Sequence, residues 1–181
     1  MYVKRVCYPI KVLGPGNRIG IWLAGCNRNC PGCMSPELQT TDGSKNLTVK
    51  DIKKILLQIH ENIDGVTISG GEPFLQVEEL HELIRFIHDE LSDDIIVYTG
   101  YTIEKLKQKG SAYIDEILSL ISVLIDGEYI DEKNDGIGIR GSSNQRVHIL
   151  KKSNDYDDLV TKKRELQTFR YNGQILIVGI Q

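Results

Sequence analysis

The sequence predicts an α/β fold, an open partial (β/α) barrel with a mostly parallel sheet and a small C-terminal β-hairpin. Three observations lead there. Apolar runs of strand length alternate with amphipathic helical stretches between residues 19 and 129, and such alternation means βα units feeding a parallel sheet. Only four or five such units fit into 181 residues, whereas a closed eight-stranded barrel takes about 200 residues or more. Residues 165–181 read as two strands around Asn172-Gly173, a strong hairpin turn signal. The expected division is a core over residues 1–150 and an extension over residues 151–181 that carries the hairpin.

Taken in order, IGIWLAG (Ile19–Gly25) is the first buried-strand run. TVKDIKKILLQIHENI then places Ile52, Ile55, Leu56, Ile59 and Ile63 at helical spacing, with Thr48 as N-cap. GVTISGGEP is a short strand that ends in glycines. Val77, Leu80, Leu83, Ile84, Ile87 and Leu91 mark a second amphipathic helix. DIIVYTGY is a third strand, TIEKLKQKG a short helix stopped by Gly110, AYIDEILSLI another helix and SVLIDGEY another strand. No internal repeat or low-complexity tract interrupts the series.

Composition narrows the function classes. Hydrophobic residues make up 40% of the chain and charged residues 26%, an ordinary soluble balance. A net charge of −3 provides no broad basic field for nucleic acid. No apolar run approaches the ~20 residues that span a bilayer. The N-terminal MYVKRVCYPIKVLG carries no signal-peptide pattern, so a cytoplasmic location is expected. Thiols stay reduced there, and clustered cysteines read as metal ligands or redox groups.

Three of the four cysteines fall within AGCNRNCPGCMSP, spaced Cys26-x3-Cys30-x2-Cys33. A structural zinc site wants a fourth ligand, which here would have to come from a distance, since Cys7 lies far upstream and His60 sits in a helical pattern. A [4Fe–4S] cube with one cysteine per iron would be left with one open iron, free to bind something else. A cluster without any metal is the third reading. The spacing favours the open iron. Pro31 and Gly32 supply a tight turn that lets Cys30 and Cys33 face one centre. The loop follows a strand, at the carboxyl edge where ligands of open α/β sheets sit.

SGGEP (Ser69–Pro73) ends the next strand at the same edge. Adjacent glycines there let a ligand approach bare backbone, although a Gly-Gly turn is as often purely structural. Glu72 adds a carboxylate suited to an ammonium group. A cluster with an open iron, glycine backbone and a carboxylate together suit an amino acid–like ligand that chelates iron through its amine and carboxylate. A side chain placed at Gly71 is expected to disturb that ligand and spare the metal.

CxxxCxxC followed by GGEP resembles the radical S-adenosylmethionine (SAM) superfamily. GPGNRIGIWLAGCNRNCPGC, SGGEPF, IVYTGY and VLIDGEYIDEKNDGIGIRGSSNQRVHIL resemble, in order and rough spacing, the activating proteins of anaerobic (class III) ribonucleotide reductase over residues 8–150. The resemblance implies a radical SAM-like fold in which Cys26, Cys30 and Cys33 hold a [4Fe–4S] cluster and SAM chelates the fourth iron. It implies that Gly32, Cys33 and Met34 lie against SAM and that Gly70, Gly71 and Glu72 hold its methionine end. It further implies an oxidoreductase that cleaves SAM to methionine and a 5′-deoxyadenosyl radical, which takes hydrogen from a glycine of the partner reductase. A low-potential donor such as flavodoxin would supply the electron. Related readings are a paralogue acting on another protein or peptide, an electron-transfer iron–sulfur protein and a zinc-binding module. Met34 and Ser35 stand where the family often has an aromatic and an asparagine, and Glu72 where it often has aspartate.

Other residues have plainer readings. Cys7 is expected in the core or at a sheet edge, Trp22 in the core, and His60, His81 and His88 on solvated helix faces. Thr99, Gly100 and Tyr101 end a strand at the ligand edge and divide evenly between lining the SAM site and forming a turn; Thr99 is kept as a cofactor-binding candidate. Asp126 and Gly127 share that geometry. Arg140–Arg146 reads as a solvated loop, an anion-orienting loop or a docking element.

Overall fold

The computed structural model describes residues 1–42, 44–171 and 173–180. Its centre is a seven-stranded sheet in the order β3-β1-β2-β4-β5-β6-β7. The strands are β1 (Tyr2–Ile10), β2 (Arg18–Leu23), β3 (Lys45–Asn46), β4 (Gly65–Gly70), β5 (Ile95–Thr99), β6 (Val123–Asp126) and β7 (Arg146–Ile149). β2, β4, β5 and β6 run parallel. Helices α1 (Val49–Leu56), α2 (Val77–Glu90), α3 (Ile103–Gln108) and α4 (Ala112–Leu120) make the crossovers. These are the alternating units expected from the sequence. β1 pairs antiparallel with β2, and β7 antiparallel with β6, which makes the sheet mixed and mostly parallel, with β3 and β7 as its open edges. Neither flank was legible, because β1 has no clean alternation of buried and exposed residues and β7 is only four residues long.

Local chemistry sets the helix ends. Thr48 caps α1 in a capping box, its side chain accepting from Asp51 N while the Asp51 side chain accepts from Thr48 N. α1 stops at Leu56, short of Ile59 and Ile63: the N–H groups of Gln58 and Ile59 bond i−3 carbonyls, tightening the last turn so that the chain can reach β4. His60 is therefore exposed beyond the helix. His81 is not on a solvated face. It is buried between α2 and α4, with Nε2 2.8 Å from Glu116 Oε2 and its ring beside Tyr113. Thr102 caps α3, and Gly110 follows that helix at φ +60°, in the left-handed conformation a stop signal needs.

The sheet has a core on each face. On one side Ile21, Leu23, Val66, Ile68 and Val97 pack under the helices with Leu80, Ile84 and Ile117. On the other, Ile10, Trp22, Ile96 and Ile125 pack against Tyr156, Leu159, Val178 and Ile180 of the C-terminal segment. Gly20 makes room there, since a Cβ would stand 2.6 Å from the Trp22 ring. The C-terminal hairpin is present, β8 (Gln167–Tyr171) pairing antiparallel with β9 (Gln174–Val178). Gly173 of the expected turn has φ +77°, and Asn172 lies outside the described residues. The Gln167 amide fastens the hairpin to the end of β1, accepting from Lys11 N at 2.9 Å and donating to Pro9 O at 2.8 Å. At the amino end of the parallel strands, fully buried Arg18 pairs with Asp94 at 2.9 Å and donates to Thr67 Oγ1 and Val66 O. Among the described residues no helix is long and apolar enough to cross a membrane.

Candidate functional site

The parallel strands end at one edge. Leu23 stands beside Gly70, and Thr99 beside Asp126, so the segments that follow them converge. The cysteine loop leaves β2 at this edge. Its ends are tied together, because Gly25 N and Cys26 N donate to the carbonyls of Leu38 and Gln39 at 2.9 Å each. Within it the expected turn forms: Cys33 N donates to Cys30 O at 3.2 Å, and Gly32 has φ +69°. Cys26, Cys30 and Cys33 are half-buried, free thiols that line one cleft of about 380 Å³, a volume within the ~300–1,000 Å³ typical of ligand sites. Met34, Gly70, Gly71 and Thr99 line the same cleft. Gly32 and Glu72 do not. Gly32 faces Asp131, 2.9 Å from where a Cβ would stand.

The two glycines have a structural reason, the alternative that a Gly-Gly turn always leaves open, and the fold supplies its partner. A Cβ on Gly70 would collide with the Leu23 backbone, and one on Gly71 with the Gly25 carbonyl. Gly71 N donates to Leu23 O at 2.9 Å, and Glu72 N to Gly25 O at 2.8 Å. The glycine turn is thus zipped to the root of the cysteine loop. A side chain at Gly71 would displace that loop, which corrects the expectation that it spares the metal.

Glu72 is completely buried, and its carboxylate points into the protein. Oε1 accepts from Phe74 N at 3.0 Å and Thr99 Oγ1 at 2.8 Å, and Oε2 from Gly100 N at 2.7 Å. Glu72 therefore binds the ends of β4 and β5 and, through its own N–H, the cysteine loop. Burial pushes its pKa up despite these donors. Thr99 is held by Glu72 and in turn accepts from Tyr101 N.

Cys26 and Cys30 sit in an anion-averse setting. Burial pushes the Cys26 thiol up, opposed by the Arg28 N–H and reinforced by the Glu72 and Cys33 charges. Burial likewise raises Cys30, opposed by the Tyr129 N–H and reinforced by Glu128, Cys33 and Cys26. Thiols raised in this way give up their protons to a cationic centre, as ligation of a metal cluster demands. Among the described residues no three His, Cys, Asp or Glu side chains converge on one point that a single ion could occupy. A four-iron cube takes thiolates at separate corners, and three thiols facing one cleft are a donor set of that kind. Cys7 lies apart, buried in β1.

Other candidates resolve into framework. Asp126 is fully buried under Arg146 and His148, while Gly127 lines the cleft. Arg140 pairs with Asp135 and Arg146 with Glu104 and Asp126, so both arginines serve carboxylates of this chain. Gln145 accepts from Gly141 N and Ser142 N and donates to Gly127 O, knitting the loop to the β6 end. The cleft also includes Arg28, Tyr98, Tyr129 and residues Leu176–Ile180, none of them expected. Arg28, standing between two of the cysteines, was the one with a visible sequence signal.

Comparison with known proteins agrees with this geometry. The sequence model of the "4Fe-4S single cluster domain" family matches residues 12–148. The anaerobic ribonucleoside-triphosphate reductase-activating protein of Salmonella typhi is 33% identical over 152 residues, covering 80% of this chain and 96% of that protein. The protein of the same name from Escherichia coli strain K12 is 32% identical over 152 residues, with the same coverage, and that of Enterobacteria phage T4 is 30% identical over 140 residues, covering 75% of this chain and 86% of that protein. With a single-cluster iron–sulfur domain across three quarters of its length and these relatives along most of it, the chain belongs to the family of anaerobic ribonucleoside-triphosphate reductase-activating proteins.

Proposed function

We propose that this chain is a radical SAM enzyme that generates a glycyl radical on a partner anaerobic ribonucleoside-triphosphate reductase. The observation that carries the reading is the set of three half-buried thiols facing one cleft together with Gly70 and Gly71. Cys26, Cys30 and Cys33 would hold three irons of a [4Fe–4S] cluster, leaving the fourth for the amine and carboxylate of SAM. When bound, the pair supplies one-electron cleavage of SAM and a carbon radical that takes hydrogen from the partner's glycine. The protein positions and shields. Gly70 and Gly71 offer backbone to the methionine end, with Cys33 and Met34 along SAM and Gly32 shaping the turn that presents them. Glu72 acts mainly by accepting from the Thr99 hydroxyl at 2.8 Å and the Gly100 N–H at 2.7 Å, which fixes the end of β5. Leu176–Ile180 wall the cleft and restrict water.

The same reading treats the sheet as an open partial barrel of the radical SAM kind, residues 1–150 as its core and residues 151–181 as an extension. It places the protein in the reducing cytoplasm, with a low-potential donor such as flavodoxin and no nucleic-acid or membrane partner. A second reading, a paralogue that activates a different protein, is favoured by one observation: the cleft wall at Leu176–Ile180 lies beyond the family match at residues 12–148. The test is anaerobic incubation of the iron-loaded, dithionite-reduced protein with SAM. Equal amounts of 5′-deoxyadenosine and methionine are expected. No cleavage by a fully loaded, reduced protein would overturn both readings.

A further inference from the structure

Two charged residues meet beside Cys30, carried there by different strand ends. Glu128 follows β6, and its Oε1 lies 3.8 Å from Cys30 Sγ. Its Oε2 accepts from Arg28 Nη2 at 3.1 Å. Arg28 stands midway between Cys26 and Cys30, with its stem against Gly100, where a Cβ would meet Arg28 Cγ at 2.9 Å. Its guanidinium carbon lies 5.0 Å from the Tyr101 ring centroid. The Arg28 Nε is shielded from solvent and has no hydrogen-bond partner among the described residues. The backbone N–H of the next residue, Tyr129, is near enough to favour the Cys30 thiolate. The Cys30 sulfur thus faces a carboxylate, a backbone donor and, one contact further, a guanidinium. None of these groups ligates metal in the proposed reading.

We propose that Arg28 and Glu128 are positioning residues that set the reduction potential of the cluster through its Cys30 corner. The inference rests on the proposed function above and deepens it. Potentials of iron–sulfur centres follow the net charge around them, hydrogen bonds to their sulfurs and solvent exposure. An anion beside the ligand sulfur opposes an added electron, and a cation or an N–H donor favours it. The ion pair holds the first two influences in balance. The Glu128 side chain is 43% exposed and that of Arg28 20%, so solvent screens part of each charge and the effect shrinks as salt rises.

The experiment is a dye-mediated redox titration of anaerobically reconstituted protein, followed by visible absorbance and electron paramagnetic resonance. Parent, Glu128→Gln, Arg28→Gln and the double variant are compared. Gln at 128 keeps a hydrogen-bond acceptor for Arg28, so the loop stays in place while the charge is lost. Glu128→Gln is expected to shift the midpoint to a more positive value and Arg28→Gln to a more negative one, with the double variant close to the parent. Unmoved potentials would overturn the proposal. So would shifts of the same sign in both single variants, the outcome of a loosened loop admitting water. A parent protein that takes up no iron and sulfide would instead overturn the underlying reading of the three cysteines.

Discussion

Gly71 has no room for a methyl group. Its α-carbon faces the Gly25 carbonyl and the Leu38 carbonyl, both backbone, and backbone yields less readily than the end of a side chain. Gly71→Ala is therefore expected to lower stability by about 1–3 kcal/mol and to reduce iron uptake, because the displaced segment is the root of the cysteine loop. Urea unfolding of the metal-free protein and iron analysis after reconstitution check the two effects separately; a fully stable, fully loaded Gly71→Ala protein would contradict the packing argument. The cysteines divide cleanly at this scale. Alanine at Cys26, Cys30 or Cys33 should abolish cluster assembly, while Cys7→Ala should keep it, since Cys7 is buried in β1 away from the cleft. Iron and sulfide content decides this, and equal loss in all four variants would defeat the assignment. The three ligand candidates were legible from spacing alone. The work of Glu72 was not: a carboxylate beside two glycines reads as a ligand group, and only the fold reveals donors from Phe74, Thr99 and Gly100 that turn it inward.

Helices α1 to α4 and the parallel strands were legible as elements because each carries its own apolar period. Antiparallel β1 and β7 were not, being too irregular or too short to show one. β7 nevertheless anchors a charged network. Arg146 bonds Asp126 of β6 at 2.6 Å and Glu104 of α3 at 2.6 Å, and His148 Nε2 lies 3.0 Å from Asp126. The Arg146 hydrogen bonds hold Glu104 down at about 2. Burial works against Asp126, but Arg146, the Ile103 N–H and His148 still hold it below its ordinary value. Both carboxylates are depressed in the folded state, so the stability they confer is full above the unfolded carboxylate range near pH 4 and is lost as pH falls toward 2. Arg146→Met should be less stable at pH 7 and should lose less on going from pH 5 to pH 3 than the parent. Urea midpoints at the three pH values test this, and parallel losses would contradict it. The hairpin was also legible from its turn, yet the packing of the C-terminal segment, from Tyr156 to Ile180, on the sheet face opposite the helices was not, since an apolar residue does not name its partner. Leu159 is 1% exposed in that contact, and Leu159→Ala should lower stability by about 2–5 kcal/mol, read by urea unfolding and Trp22 fluorescence; an unchanged midpoint would mean that the segment does not complete the core.

At the scale of the whole molecule, the four parallel strands place their ends at one edge, and each contributes one piece: a cysteine loop, a glycine turn, Thr99-Gly100 and Gly127. The sequence displayed the pieces in order because each follows its own strand. It could not display pairs brought together only by the sheet, such as Arg28 with Glu128, separated by 100 residues. Nor could it show that Leu176–Ile180 return to wall the cleft. In the proposed function, this assembled edge puts a radical on a glycine of a separate reductase. The most direct measurement is electron paramagnetic resonance of a mixture of this protein, SAM, a low-potential reductant and an anaerobic ribonucleoside-triphosphate reductase, with each component omitted in turn. A glycine-centred signal is expected on the reductase only when all four are present, lost with any of Cys26→Ala, Cys30→Ala or Cys33→Ala and followed by nucleotide reduction. SAM cleavage with no radical on the reductase would contradict that function.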